Sequence, residues 1–282
     1  MLLSVLLPLS LAFIMFSLGV GLRWGDFRTT FTQPVAFGIG FVHQVLLLPV
    51  VVYAVVRVFG ITGELAVGFM ILAVCPGGVT SNVLAKLARG DVALSITLTS
   101  VTSLLSMVTV PIVLAFSFST FLESGYAPIN ITSTALTMFL LTVVPVSLGM
   151  VFRAVLPALG DRLDRPLGVV ATVIFVVVVV AGIAGNWQLL VDNFVLLGAA
   201  VLTLFAVLLP VGYAVPRATG CSAQQSKTIS IDTGIQNSTL GIVVAALLVG
   251  QEGFNAFSIP AALYGIMMYF AIVPLVLWFR QR

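Results

Sequence analysis

Four polar side chains late in the sequence have the types and spacing of a cation-binding segment. Asp232, Gln236, Asn237 and Ser238 present carboxylate, amide and hydroxyl oxygens within about two helical turns, and hard cations prefer oxygen ligands. The flanking segments are apolar, and a charged residue at membrane depth usually marks an ion or substrate pathway. The alternative is a structural pair between Asp232 and a neighbouring helix. We favour the ion site, because the other spans are not expected to bury a lysine or arginine.

An earlier segment, from Cys75 to Asn82, predicts a helix that is broken inside the membrane. Pro76 lacks an amide proton, and the two glycines that follow it loosen the chain further. Carbonyls and half-helix ends freed by such a break can coordinate a cation or face an anion. A simple kink is the alternative, because proline and glycine are common in membrane helices. The hydroxyls and the amide of residues 80–82 favour a binding site.

Other polar residues are weaker candidates for the same chemistry. Ser95 and Thr99 lie four positions apart on one helical face, although hydroxyls in membrane helices often bond the backbone of the preceding turn. Gln44 is equally compatible with an interhelical hydrogen bond and with a ligand. His43 is the one histidine of the sequence, and a lone histidine is more typical of a packed donor than of a proton relay.

The composition is that of an integral membrane protein. The 282 residues are 60% hydrophobic and 7% charged, whereas soluble domains carry about 25% charged residues. The apolar runs are continuous and close to the length of about 20 residues that spans a bilayer as a helix. The sequence contains no recognisable hydrolase, phosphate-binding or metalloenzyme motif and no basic patch on a soluble domain, so we predict no enzyme activity and no nucleic-acid binding. Cys75 and Cys221 are expected to be reduced.

The apolar runs predict nine transmembrane helices, with the N-terminus outside the cell and the C-terminus in the cytoplasm. Cytoplasmic flanks collect lysine and arginine, and this topology places all 12 basic residues there except Arg57. The first run is expected to be a retained helix and not a signal peptide. The third and eighth spans enter from opposite sides and carry the two polar breaks, which predicts an inverted-repeat transporter fold. The predicted spans are residues 2–22, 34–59, 64–87, 92–116, 133–156, 167–183, 194–215, 227–249 and 256–279, with a polar loop near 123–128 and a charged connector at 161–165.

The two polar segments resemble the signatures of the bile acid:sodium symporter family, and the resemblance covers nearly the whole chain. The matching runs are residues 75–83, 87–95 and 232–238. The resemblance implies a bacterial nine-helix member with two discontinuous helices that cross in a core domain beside a panel domain. The core elements would be about 34–116 and 194–282, and the panel elements about 2–22 and 133–183. The chain begins where the second helix of ten-helix bacterial members would, so the first helix of that form is expected to be absent.

The resemblance also implies two sodium sites that share Asp232, with two sodium ions as coupling ions and no other cofactor. The first site would use Ser81, Asn82, Ser95, Thr99 and Asp232. The second would use Gln44, Asp232 and Gln236, with backbone carbonyls near Thr233 and Ile235. Substrate would lie at the helix crossing beside Gly78, Val79, Asn237 and Ser238, and near Met268 and Tyr269.

Two departures from the family pattern bear on these expectations. Asp232 stands where the family usually has glutamate, so the carboxylate is kept but is one methylene shorter. The run from Met267 to Tyr269 replaces a tryptophan-histidine-asparagine run of some bacterial members. Because those positions lie near the family's substrate pocket, the substrate of such relatives should not be transferred to this chain.

We therefore predict a sodium-coupled symporter that carries a small organic anion inward across the inner (plasma) membrane by alternating access. Its partners would be the anion, sodium ions and the lipid bilayer, with no obligate protein partner. One alternative is a proton-coupled or sodium-independent carrier or exporter, in which Asp232 would titrate together with His43. Another is a non-transporting receptor, which leaves the two polar breaks unexplained. Sterol conjugates, small keto or hydroxy acids and vitamin precursors are all compatible substrates.

Overall fold

A computed structural model describes residues 2–23, 25, 29–122, 131–185, 187–249 and 255–281. Every secondary-structure element in these ranges is a helix, which confirms the all-α prediction for this part of the chain. The elements are α1 Leu2–Gly21, α2 Thr29–Thr32, α3 Pro34–Val42, a π-helical turn His43–Leu47, α4 Leu48–Val58, α5 Gly63–Ala73, α6 Val79–Leu87, α7 Val92–Phe121, α8 Ile131–Met138, a second π-helical turn Phe139–Val143, α9 Val144–Val155, α10 Pro157–Gly185, α11 Trp187–Ala218, α12 Ala223–Gly234, α13 Ser238–Val249, a 3₁₀ turn Ala256–Ser258 and α14 Ile259–Gln281.

Among the described residues, three helical segments are individually long and apolar enough to cross a bilayer. They are Pro34–Val58, Leu190–Ala218 and Ala256–Gln281. α7 is a fourth if its two halves, which are bent by 57° near residue 107, count as one span. Pro111 explains this bend, because it has no amide proton to donate to the carbonyl four residues earlier. Several apolar helices of this kind are expected of a polytopic membrane protein, and the nine-span count stays a prediction.

Part of the predicted topology rests on residues that the structure does not describe. Arg28 and Arg282, which contribute to the charge asymmetry, and the polar loop near 123–128 lie outside the described ranges. The predicted spans coincide with helices to within about seven residues at each end, except the sixth, which was predicted to begin ten residues after the start of its helix at Pro157.

The prediction of a connector at 161–165 was wrong, because this segment lies inside α10. The helix begins at Pro157, a favourable first position for proline, and a single residue separates it from α9. The charged side chains of the segment are used between helices. Arg153 of α9 donates to Asp161, and Arg23 donates to the same carboxylate at 2.9 Å.

One bundle consists of α1, α9 and α10, and two glycines allow α1 and α9 to approach closely. A Cβ built at Gly19 would lie 2.1 Å from the carbonyl oxygen of Val146, and one built at Gly149 would lie 2.3 Å from that of Phe16. Small residues are the usual means by which membrane helices reach such short separations. α10 packs against both helices of this pair.

The second bundle contains the two broken helices. α5 and α6 are separated by residues 74–78, and α12 and α13 by residues 235–237, close to the breaks predicted from the sequence. α12 packs against α3, α6, α7 and α11, while α13 packs against α5 and α14. The first bundle contacts the second mainly where α1 and α10 meet α13 and α14. The helix breaks therefore lie deep in the second bundle, near its boundary with the first.

Candidate ion and substrate site

The two helix breaks lie against each other, and their freed backbone groups are paired. The amide of Asn237 donates to the carbonyl of Pro76 at 2.8 Å, so one break bonds directly to the other. The Asn237 side chain accepts a hydrogen bond from the amide of Leu240 at 3.0 Å and caps the start of α13. Tyr264 of α14 donates its hydroxyl to the carbonyl of Gly234 at 3.0 Å, at the end of α12. Irregular backbone at membrane depth requires this kind of satisfaction by surrounding protein.

The residues predicted for the first sodium site meet between α6, α7 and α12. Ser95 Oγ lies 2.8 Å from Asp232 Oδ1 and 2.8 Å from Asn82 Oδ1. A serine hydroxyl carries one proton, so it can donate to only one of these two acceptors. Ser81 Oγ lies 3.4 Å from Thr99 Oγ1. The result is a cluster rich in oxygen acceptors, which is compatible with a bound cation.

The residues predicted for the second sodium site also come together. Gln44 Nε2 lies 2.8 Å from Gln236 Oε1 and 3.1 Å from the carbonyl of Cys75, and it donates to both. Gln236 Nε2 donates in turn to the carbonyl of Thr233 at 3.1 Å. The carbonyl of Ile235 faces the first break, since it lies 3.6 Å from a Cβ built at Gly77. These contacts place the two amide side chains between the breaks.

A π-helical turn positions Gln44. In the turn His43–Leu47 the amide of Leu48 bonds the carbonyl of His43, five residues earlier, and Pro49 follows directly. Proline cannot continue the regular ladder of hydrogen bonds, and π-helical turns are frequent at functional sites. His43 is buried, and its Nδ1 has no hydrogen-bond partner within the described ranges.

Asp232 is buried without a countercharge from the described part of the chain. It is 6% exposed, and its Oδ2 finds no hydrogen-bond partner among the described residues. The expectation that the other spans bury no lysine or arginine was wrong, because Arg153 of α9 is 8% exposed; α12 itself also buries Lys227. Arg153 nevertheless bonds Asp161, and Lys227 donates to the carbonyl of Phe279 at 2.8 Å. An unpaired buried carboxylate is costly, so this position favours neutralisation of Asp232, either by a bound cation or by a proton.

A cavity of about 400 Å³ lies beside the helix breaks, between the two bundles. Five of the predicted substrate residues line it, namely Gly78, Asn237, Ser238, Met268 and Tyr269. The side chain of Val79 lies outside the described residues. Ser238 is 2% exposed, and its Oγ has no hydrogen-bond partner in the part of the chain that the structure describes. α1 and α10 provide the facing wall, which includes Asp164.

The polar groups of this cavity are suited to an anion. Gly78 and Thr80 at the start of α6, and Ser238 at the start of α13, all line it. Helix starts carry a partial positive charge and can form anion sites. No lysine, arginine or histidine is among the described lining residues, and Asp164 is the only side chain there with a formal charge at neutral pH. Amides and hydroxyls would therefore hold an anion here.

Sequence reasoning missed three residues of the site region. Thr102 lines a small cavity together with Thr99 and Asp232. A signal for it was available, because positions 95, 99 and 102 follow the i, i+4, i+7 spacing of one helical face. Tyr264 and Asp164 had no such signal, since they come from helices that lie far from the two motifs in the sequence.

The chain is similar in sequence to several known proteins. A family model described as "Sodium Bile acid symporter family" matches residues 8–193. A protein of Oryza sativa subsp. japonica named "Probable sodium/metabolite cotransporter BASS2, chloroplastic" is 25% identical over 98% of this chain and 64% of its own length. The "Uncharacterized sodium-dependent transporter YocS" of Bacillus subtilis (strain 168) is 25% identical over 93% of this chain and 79% of its own. The "Ileal sodium/bile acid cotransporter" of Homo sapiens is 28% identical over 96% and 78%.

The chain thus spans a little less than two thirds of the rice relative and about four fifths of the other two. The matched family model covers both the first bundle and the first helix break. The family and the names of these relatives indicate transporters and not enzymes, as the sequence predicted. This chain is a multi-pass membrane protein and belongs to the sodium bile acid symporter family.

Proposed function

We propose that the chain is a sodium-coupled symporter that moves a small organic anion by alternating access. The observation that carries the proposal is the buried carboxylate of Asp232, whose Oδ2 lacks a partner among the described residues. It lies where the two helix breaks meet, among side chains that offer hydroxyl and amide oxygens. Sodium takes oxygen ligands and would supply the missing charge. The names of the relatives, which mention sodium, support this choice of ion.

Two side chains give a physical route for coupling between ion and substrate. Asn82 lies 2.8 Å from the Ser95 hydroxyl at the first ion cluster, and Gln236 bonds Gln44 at the second. Both Asn82 and Gln236 also line the large cavity. Sodium that fixes these side chains would prepare the cavity wall for substrate, and bound substrate would hold the same side chains for sodium. Such mutual stabilisation is a coupling free energy, which acts equally in both directions.

The anion itself would bind at the starts of α6 and α13. The Ser238 hydroxyl is available there, and a carboxylate or sulfonate can accept from hydroxyls and helix-start amides. The apolar side chains of α1, including Ile14, Met15 and Leu18, would contact the rest of the molecule. A cavity of about 400 Å³ is within the usual range for small-molecule sites.

We further propose the topology that this mechanism needs. Each pair of short helices across a break would form one span, giving nine spans arranged as an inverted repeat in the inner membrane. The first bundle would be the panel and the second the core. With the N-terminus outside, the large cavity reaches the cytoplasmic ends of α1 and α10, where Leu22 and Asp164 line it. This conformation would be the inward-facing one.

The test is the melting temperature of the purified full-length chain in sodium chloride against potassium chloride at equal ionic strength. An ion at about 100 times its Kd stabilises a protein by about 2.7 kcal/mol, which corresponds to roughly 5 °C or more for a chain of this size. The wild type should show this increase in sodium only. Asp232→Asn, which keeps the shape but removes the charge, should lose it. Asp164→Asn is the matched control, because that carboxylate lines the large cavity away from the ion cluster.

The outcomes separate the proposal from its rival. A sodium-specific increase that is lost only in Asp232→Asn supports sodium coupling and justifies a screen of monocarboxylates and sulfonates in sodium. An equal response to sodium and potassium in the wild type contradicts it. A proton-coupled or sodium-independent carrier would then be the better description, and flux measured against pH would test that alternative.

A further inference from the structure

A second, much smaller cavity lies directly beside Asp232. Its volume is about 10 Å³, which is close to the space of a single water-sized sphere. Its walls come from four elements: α3 with its π-helical turn, the first helix break, α7 and α12. The lining residues that carry polar side chains are Gln44, Thr99, Thr102 and Asp232. The cavity therefore brings together Thr99, which was predicted for the first sodium site, and Gln44, which was predicted for the second. It also includes Thr102, which was predicted for neither site.

Two of the polar side chains around this cavity, Thr102 and Gln44, donate their protons elsewhere and keep oxygens that can accept. Thr102 Oγ1 donates its proton to the carbonyl of Leu98 at 2.7 Å, so its lone pairs remain. Gln44 donates from its Nε2 to Cys75 and Gln236, and among the described residues its Oε1 has a single contact, at 3.5 Å from Gln236 Nε2. The occupant of such a cavity must donate to these oxygens or carry positive charge.

The charge of Asp232 decides between those two occupants. Its Oδ1 accepts from Ser95, whereas its Oδ2 has no partner within the described ranges. A water molecule could donate to Oδ2 but would leave the buried negative charge uncompensated. A monovalent cation would satisfy the oxygens and neutralise the carboxylate at the same time, so a cation is favoured over water.

We propose that this cavity is a sodium site in which Thr102 is a ligand, together with Asp232, Thr99 and Gln44. The assignment rests on the proposed sodium coupling and adds a residue to the ion-binding set. Thr102 lies one turn after Thr99 and presents its hydroxyl on the same face of that helix.

The experiment measures the sodium concentration that gives half of the maximal increase in melting temperature. Thr102→Val removes the hydroxyl with little change in volume. Thr97→Val is the matched control: Thr97 is also buried in α7 and donates to the carbonyl four residues earlier, at 2.8 Å, but it does not line the cavity. We expect the half-maximal sodium concentration to rise about tenfold or more in Thr102→Val, and to stay within about twofold of wild type in Thr97→Val.

Two additional variants make each outcome decisive. Thr102→Ser keeps the hydroxyl and should keep a half-maximal concentration within about threefold of wild type. Thr102→Ala also removes the hydroxyl, and it replaces the valine variant if that variant does not fold. Unchanged sodium dependence in Thr102→Val, while Asp232→Asn loses its response, overturns the ligand assignment but leaves sodium coupling intact. Absence of any sodium response in the wild type overturns both proposals.

Discussion

Gly149→Ala should destabilise the chain by pushing α1 and α9 apart. The added Cβ would lie 2.3 Å from the carbonyl oxygen of Phe16 and 2.7 Å from the amide nitrogen of Val20, whereas ordinary contact begins at 3.4 Å. Because these atoms belong to the backbone, no side-chain rotation can relieve the clash, and the helices must separate by about 1 Å. Overpacking of this kind costs about 1–3 kcal/mol. At roughly 2–4 °C per kcal/mol, the melting temperature should fall by about 2–12 °C.

The assay is thermal unfolding of the purified chain in detergent at one fixed sodium concentration. Gly38→Ala in α3 is the matched control, because a Cβ built there meets no atom within 4 Å. Alanine has the higher helix propensity, so this control should melt at or slightly above the wild-type temperature. A Gly149→Ala variant that melts together with Gly38→Ala would refute the close approach of α1 and α9.

Two further predictions concern single side chains. Ser238→Ala should change the free energy of unfolding by less than about 0.5 kcal/mol, because the Ser238 hydroxyl has no partner among the described residues. The same variant should bind a transported anion about tenfold more weakly in a titration. A loss of stability with unchanged anion affinity would contradict this. Arg153→Met should cost about 1–3 kcal/mol, because it leaves the carbonyl of Val20 and the carboxylate of Asp161 without their buried donor. Arg23→Met is the control: it removes an ion pair whose side chains are 63% and 57% exposed, so it should cost less than about 1 kcal/mol. If both variants lowered the melting temperature equally, that result would count against the buried position of Arg153.

The sequence was sufficient to locate the helix breaks. Pro76 and the glycines after it weaken or interrupt a regular helix, and this local property does not depend on the rest of the molecule. The same holds for the all-α class, which follows from continuous apolar runs in a chain with 7% charged residues. The grouping of Asp232 with the serines and threonines of the first motif came from a resemblance to a family, and the structure does place Ser95 within 2.8 Å of Asp232.

Boundaries and burial were less predictable. The charged residues at 161–165 were predicted to form a connector, because a short run of charged residues is equally compatible with a loop and with part of a helix. In the structure the segment is helical, and Asp161 lies beside Arg153 of α9. For the same reason Arg153 was not expected to be buried: its burial depends on a carbonyl in α1, which is more than a hundred residues away in the sequence.

The sequence by itself determined which residues could supply oxygen ligands and which could break a helix, because both are properties of the side chain and of the local backbone. Only the tertiary structure decided which oxygens keep free lone pairs. Thr102 became a candidate because its proton is donated to Leu98 and its hydroxyl faces the cavity of Asp232. The unpartnered Oδ2 of Asp232, within the described residues, likewise depends on four elements that meet at one point. Hydrogen-bond satisfaction and burial are set by neighbours that are distant in sequence, so no reading of one segment could have supplied them.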